Sequence, residues 1–243
     1  MLAFVHRTAA SSMLLAAGCG DEIVGYFDGS AGSSGSASSA DSTAADTDPP
    51  VFEGPGCFSD DFEDGVIDPV LWNTWVEADS AIEESAGMLK FTPPTTGISD
   101  TGVINAYQSQ FRFETGWVRV RVPIPPSPTR SVVFFLQILD EPDSLVSIQI
   151  SQSTVSVGAR MGAVEQPGDS FPADPYPAWI GIRADGPVVH FEVSSDGVDF
   201  TDLAVRDKPV PFESASALLM AQTYGQDLEG GIVAVDDFEV CLQ

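Results

Sequence analysis

Three observations predict an all-β chain folded as a two-sheet antiparallel jelly-roll β-sandwich. Between residues 58 and 240, about thirteen short runs rich in β-branched and aromatic residues follow one another, most alternating apolar with polar. Turn-forming Gly, Pro, Asp and Ser separate them, and no segment holds a helical period over ten residues. Alternating runs such as LVSIQIS coexist with wholly apolar ones such as SVVFFL, which requires strands packed between two layers as well as strands with a solvated side.

The strands are read in order. FSDDF at 58–62 opens the domain, followed by WNTWVEA at 72–78, whose Trp72 and Trp75 are assigned to core and sheet-edge packing. Ser80 and Gly87 flank an early hairpin that joins AIEES to MLKFT. VINAYQS and GWVRVRVPI come next, and the prolines from Pro123 to Pro128 break the following crossing. SVVFFLQIL, LVSIQIS and TVSVGAR make three successive strands, with Asp140, Glu141 and Asp143 read as solvated turn residues. AWIGIRA and VVHFEVS lead to SSDGVDF, where Asp196-Gly197 suits a tight turn needing positive φ, before ALLMAQTY and GIVAVDDFEV close the chain.

With 243 residues and 43% hydrophobic side chains, the chain has material for one large domain and its core. A net charge of −26 argues against nucleic acid or an anionic membrane surface as partner and favours a dispersed monomer. Residues 1–18 have a basic spot at His6 and Arg7 and an apolar stretch too short to span a membrane, so they read as an export signal. LLAAGC resembles the lipobox of bacterial lipoproteins, with Ala16 standing where leucine is preferred. The resemblance implies a lipid on Cys19, membrane attachment through that anchor alone, and an outer-membrane or cell-surface address; a periplasmic or secreted protein is the alternative. Residues 19–53 form a tether: the stretch DGSAGSSGSASSADSTAADTDPP has no aromatic and no large aliphatic side chain to bury. Such a coil spans roughly 25 Å. The folded domain occupies residues 54–243.

Cysteine usage fits export. With Cys19 assigned to the lipid, Cys57 and Cys241 remain at the first and last strands, where oxidation joins them. The bridge closes a loop of about 185 residues, long enough for several kcal/mol of stabilisation.

CFSDDFEDGVIDPVLWNTW, ESAGMLKF, TGWVRVRVPIP, VSSDGVDF and AVDDFEVC, in that order, resemble the concanavalin A-like lectin and glucanase superfamily over residues 57–241. In its laminarinase-type glucanases, a strand like GWVRVRV is followed by one more strand and then by the catalytic E-x-D-x-x-E strand on the concave sheet. The resemblance brings SLVSIQISQ to that place, and Ser147, Gln149 and Gln152 stand where Glu, Asp and Glu are expected. A retaining glycosidase needs two carboxyl groups about 5–5.5 Å apart, and serine and glutamine supply neither.

These residues imply a non-catalytic, lectin-like domain that binds carbohydrate or a cell-envelope glycan. Its expected contact set is Trp117, Arg119, Arg121, Gln137, Ser147, Gln149 and His190: planar amide and guanidinium groups with aromatic edges, provided their strands are neighbours. One alternative is a jelly-roll polysaccharide lyase or hydrolase, the lyase using Arg119, Arg121, Gln137, Gln149, His190 and Tyr224. The other is a structural or adhesive surface lipoprotein without ligand, since any half-exposed sheet shows polar rows. For His190 a solvated position on the side opposite Val189 and Phe191 is expected.

Calcium is the expected cofactor. Pairing Cys57 with Cys241 across antiparallel strands sets Asp61 opposite Asp237 and puts Asp60 and Asp236 on the apolar side, where unpaired carboxylates are costly and a cation relieves them. Asp61 and Asp237 are assigned to turn amides.

Overall fold

The computed structural model describes residues 55–243, apart from 78, 94–98, 106–109, 128–131, 141–143, 152–153, 163 and 224–230. The export signal, Cys19, the tether, Glu141, Asp143, Gln152 and Tyr224 therefore lie outside the described residues.

Fifteen strands are present among them: β1 Gly56–Asp60, β2 Trp72–Val76, β3 Ala81–Glu84, β4 Leu89–Thr92, β5 Ser99–Asn105, β6 Thr115–Ile124, β7 Val132–Asp140, β8 Ser144–Ser151, β9 Thr154–Met161, β10 Val164–Pro172, β11 Trp179–Asp185, β12 Val188–Ser194, β13 Thr201–Asp207, β14 Ser216–Thr223 and β15 Val233–Leu242. They form two antiparallel sheets. An eight-stranded sheet runs β13-β12-β11-β6-β15-β4-β3, with β1 also on β15, and a seven-stranded sheet runs β10-β9-β8-β7-β14-β5-β2. Neighbours such as β6 and β15, far apart in sequence, make this a jelly-roll sandwich and not a meander.

Alternation builds the core. Val118, Val120 and Val122 of β6 join Phe134, Ile148 and Ile150 of the other sheet in one continuous apolar cluster that also takes in Phe62, Trp72, Phe91, Phe191 and Phe238. Trp72 is 3% exposed and meets Phe238 edge-on with ring centroids 4.8 Å apart, which makes it core, as the sequence implies. Trp75 lies over β5: a Cβ on Gly102 would sit 2.4 Å from its Cη2.

Cys57 and Cys241 are joined, and the register pairs them directly across β1 and β15. That register continues through Asp60 opposite Phe238. Past it, β15 departs from regular pairing with β6 between Asp236 and Glu239, and Asp237 adopts φ 47° there.

Two strands escape the sequence pattern, β10 and β13, and each lies at the edge of its sheet. VEQPGDSFP holds two prolines and a glycine, and its pairing with β9 shifts between Gln166 and Asp169. An edge strand with one hydrogen-bonded neighbour tolerates both. Arg206 of β13 and Asp169 of β10 form an ion pair that links the two sheets at this side.

Candidate functional site

On the seven-stranded sheet, Phe134, Leu136 and Ile138 of β7 and Val146, Ile148 and Ile150 of β8 point into the core. Phe135, Gln137, Ser147 and Gln149 therefore stand on its outer face. Gln137 is opposite Ser147 and Phe135 opposite Gln149; on the next strand Gln149 faces Ser156 and Ser147 faces Gly158. The three predicted residues Gln137, Ser147 and Gln149 are thus assembled in one place.

This face has two halves. Across β8 and β9 it presents Ser147, Gln149, Ser151, Thr154 and Ser156, all half-buried and uncharged. Across β2, β5, β7 and β14 it is apolar: Phe135, Leu218 and Met220 cluster with Trp75, Ile104, Val133 and Leu139. The apolar half was not anticipated, although the double-sided apolar runs FFL and ALLM carry its signal. Among the outward side chains of β7, β8, β9 and β14 there is no Asp or Glu.

Trp117, Arg119, Arg121 and His190 are elsewhere, which corrects the single seven-residue patch. They stand on β6 and β12 of the eight-stranded sheet and face away from the sandwich on its opposite side. The strands carrying Arg119 and Gln137 adjoin in sequence but belong to different sheets, so the Arg, Gln and His groups of the lyase alternative do not converge either.

Nor are these arginines free to meet an anionic glycan. Arg119 Nη2 donates to Glu192 Oε2 at 3.0 Å, and Arg183 Nε donates to Glu192 Oε1 at 2.5 Å. Arg183 also lies 3.5 Å from Asp202, whose other oxygen is 2.9 Å from His190 Nδ1. Gly181 makes this possible: a Cβ there would fall 2.9 Å from Arg119 Cγ, so only glycine lets the arginine cross β11 to reach β12. The Arg119 guanidinium stacks 3.7 Å from the Phe200 ring centroid and 4.8 Å from that of Trp117, and Trp117 Nε1 donates to Glu239. The result is a charge ladder in which each side chain has an opposite-charge partner, while Arg119 Nε is buried without a hydrogen-bond partner.

The proposed metal ligands Asp60 and Asp236 are each engaged by other groups. Asp60 accepts the Phe62 amide at 2.9 Å and the Trp72 indole N–H at 2.8 Å. Asp236 pairs with Arg121 and accepts the Asp237 amide at 2.7 Å. Asp237, assigned to a turn amide, instead lies 2.8 Å from Arg121 Nε; the irregularity in β15 turns two successive carboxylates toward one guanidinium. Asp61 does accept a turn amide, that of Glu63, at 3.3 Å.

The Asp196-Gly197 turn forms as its sequence implies, with φ 78° at Gly197 and the Trp179 indole against that glycine. Asp196 Oδ1 accepts the amides of Val198 and Asp199 and the Ser194 hydroxyl, which together hold its carboxyl below the usual aspartate range. A depressed carboxyl contributes stability above its unfolded-state pKa and loses it as pH falls through its folded value. Asp196→Asn is therefore expected to lower the melting temperature at pH 7 and to matter progressively less as pH falls below the usual aspartate range; calorimetry from pH 7 down through that range checks this.

A surface cavity of ≈ 420 Å³ is lined by Arg112, Glu114, Pro187, Lys208, Pro209 and Glu213, none of which the sequence singled out. Its cations are engaged: Lys208 Nζ donates to the carbonyls of Phe113 and Glu114, and Arg112 pairs with Glu213 at 3.0 Å.

No protein-family model and no curated protein matches the chain in sequence. Solved structures match it in fold. The laminarinase from Rhodothermus marinus superposes with a TM-score of 0.57 at 14% identity, covering 77% of this chain and 98% of that one. SCLam, a non-specific endo-β-1,3(4)-glucanase from family GH16, gives a TM-score of 0.61 at 13% identity over 75% of this chain and 89% of that one. The domain has the concanavalin A-like jelly-roll fold. The κ-carrageenase from Pseudoalteromonas carrageenovora, solved with an oligotetrasaccharide of κ-carrageenan, matches with a TM-score of 0.52 at 12% identity over 81% of this chain and 98% of that one. Within this concanavalin A-like domain, Ser147 and Gln149 hold the positions that the sequence resemblance gives to the catalytic strand, with both side chains on the outer face.

Proposed function

We propose that the domain binds carbohydrate or a cell-envelope glycan on the outer face of its seven-stranded sheet without cleaving it, and that a lipid on Cys19 and the tether of residues 19–53 hold it at the cell surface. One observation carries the non-catalytic part: β8 presents Ser147 and Gln149, and the outward side chains of β7, β8, β9 and β14 include no carboxyl group for acid, base or nucleophile. The polar half of the face offers amides and hydroxyls to sugar hydroxyls, and the apolar half offers the half-buried Trp75 to ring faces. The structures named laminarinase, glucanase and κ-carrageenase lend support to a glycan as partner.

The same names favour a second reading, a glycan-active enzyme, whose carboxyl groups would have to come from outside these four strands. Affinity electrophoresis of the mature protein through gels containing laminarin, κ-carrageenan or isolated envelope polysaccharide separates the two. Retardation by at least one glycan is expected, weakened about tenfold by Gln149→Ala and by Trp75→Ala. Absence of retardation by every glycan would leave a structural or adhesive role, and new reducing or unsaturated ends would establish the enzyme. Labelling with a radioactive fatty acid, lost in Cys19→Ser, is the matching test of the anchor.

A further inference from the structure

The chain has two lysines, Lys90 and Lys208, and they stand in different surroundings. Lys90 Nζ donates to the Ser85 hydroxyl at 2.8 Å beside the hairpin of β3 and β4. Lys208 follows β13 directly and lines the cavity of ≈ 420 Å³. Its backbone amide donates to the Pro187 carbonyl at 2.8 Å, which fixes the residue on one wall. Its side chain reaches the segment before β6, where Nζ donates to the Phe113 carbonyl at 2.6 Å and to the Glu114 carbonyl at 3.0 Å. The centroid of the buried Phe113 ring is 5.8 Å from the same nitrogen.

The two carbonyls suit a neutral amine. Lysine as an ammonium has three N–H donors, and on losing a proton it keeps two donors and gains a lone pair. With one hydrogen on each carbonyl, that lone pair takes the one tetrahedral direction left. The surrounding charges are mixed: Glu114 and Asp185 favour the ammonium, and Arg112 is taken by Glu213 at 3.0 Å. Burial outweighs the two carboxylates and holds the Lys208 amine below the usual lysine range. We propose that Lys208 is an amine nucleophile directed at this cavity, where it takes a small aldehyde as an imine. The nitrogen bonds to the aldehyde carbon, the aldehyde oxygen leaves as water with the two amine hydrogens, and a C=N bond remains. Once protonated, the imine keeps one N–H for a carbonyl. Desolvation is a general means of activating lysine toward carbonyl compounds. Pro187, Pro209, Val210 and Pro211 give the cavity apolar walls, and its volume is that of a small-molecule site, so a compact aromatic or aliphatic aldehyde fits it.

The test incubates the mature protein with pyridoxal, traps the imine with borohydride and locates the modified lysine by peptide mapping. At pH 7, Lys208 is expected to react about tenfold faster than Lys90. Its rate should saturate with pyridoxal concentration, because the cavity fills before the bond forms, whereas the rate at Lys90 should rise linearly. At pH 11 both amines are largely neutral, and the preference should shrink. Lys208→Arg keeps donors for both carbonyls and is expected to abolish the saturable component, with a melting temperature within about 2 °C of the parent showing that the fold is kept. The proposal fails if Lys90 reacts at pH 7 as fast as Lys208, if the rate at Lys208 does not saturate, or if a saturable component survives Lys208→Arg.

Discussion

Replacing Cys57 and Cys241 together by serine is expected to lower the unfolding free energy by about 3–4 kcal/mol. The bridge spans 184 residues, and the chain-entropy account gives loops of this size the largest gains, with measured values falling short of the calculated ones. What the bridge secures is specific. β1 pairs with β15 alone, so it has one hydrogen-bonded neighbour, and five register pairs hold it there. Phe58 adds packing against Phe111 and Phe238 at centroid distances of 6.1 and 6.2 Å. Without the disulfide, this strand has less to keep it docked than any central strand of the sheet. Urea titration of the oxidised parent, the reduced parent and the double serine variant checks this, and the last two should coincide. A loss under 1 kcal/mol would mean that Phe58 and the β1 hydrogen bonds alone hold the strand.

The fold was legible because both of its determinants are local. Period-two alternation in GWVRVRV and SLVSIQIS fixes which side chains are inward, and the structure places every one of those on the side the pattern requires. The disulfide follows from the count and position of cysteines. What local pattern does not carry is sheet membership. β6 and β7 adjoin in sequence, yet one pairs with β11 and β15 and the other with β8 and β14. A site assembled by assuming that adjacent strands pair therefore joined residues from opposite faces. For the same reason the counter-charges of Arg119 and Arg121 were invisible: Glu192 lies 73 positions from its arginine and Asp236 lies 115 from its own. The edge strands β10 and β13 were missed on different grounds, since a strand with one neighbour need not show the composition of a central one.

Arg119→Ala is expected to cost about 3 kcal/mol, a large effect for a residue on an outer face. The reason is burial of its partner. The Glu192 side chain is 5% exposed and Arg119 only 18%, so the pair is shielded from water in a way that surface ion pairs are not. Removing Arg119 leaves Glu192 Oε2 without its donor, while Oε1 keeps Arg183. It also empties the space between Trp117 and Phe200 that the guanidinium fills, and the passage over Gly181 that its stem fills. Arg119→Lys keeps the charge but not the planar stack or the fork, so an intermediate loss is expected. The decisive comparison is Arg119→Met combined with Glu192→Met. Taking away both charges together leaves no orphaned carboxylate, so the double variant should recover much of what Arg119→Ala loses. The alanine loss should also change little between 0.05 and 0.5 M salt, because a shielded pair is weakly screened. A loss below 0.5 kcal/mol, or one that salt erases, would reassign the ladder of Arg119, Glu192, Arg183 and Asp202 to ordinary solvated surface.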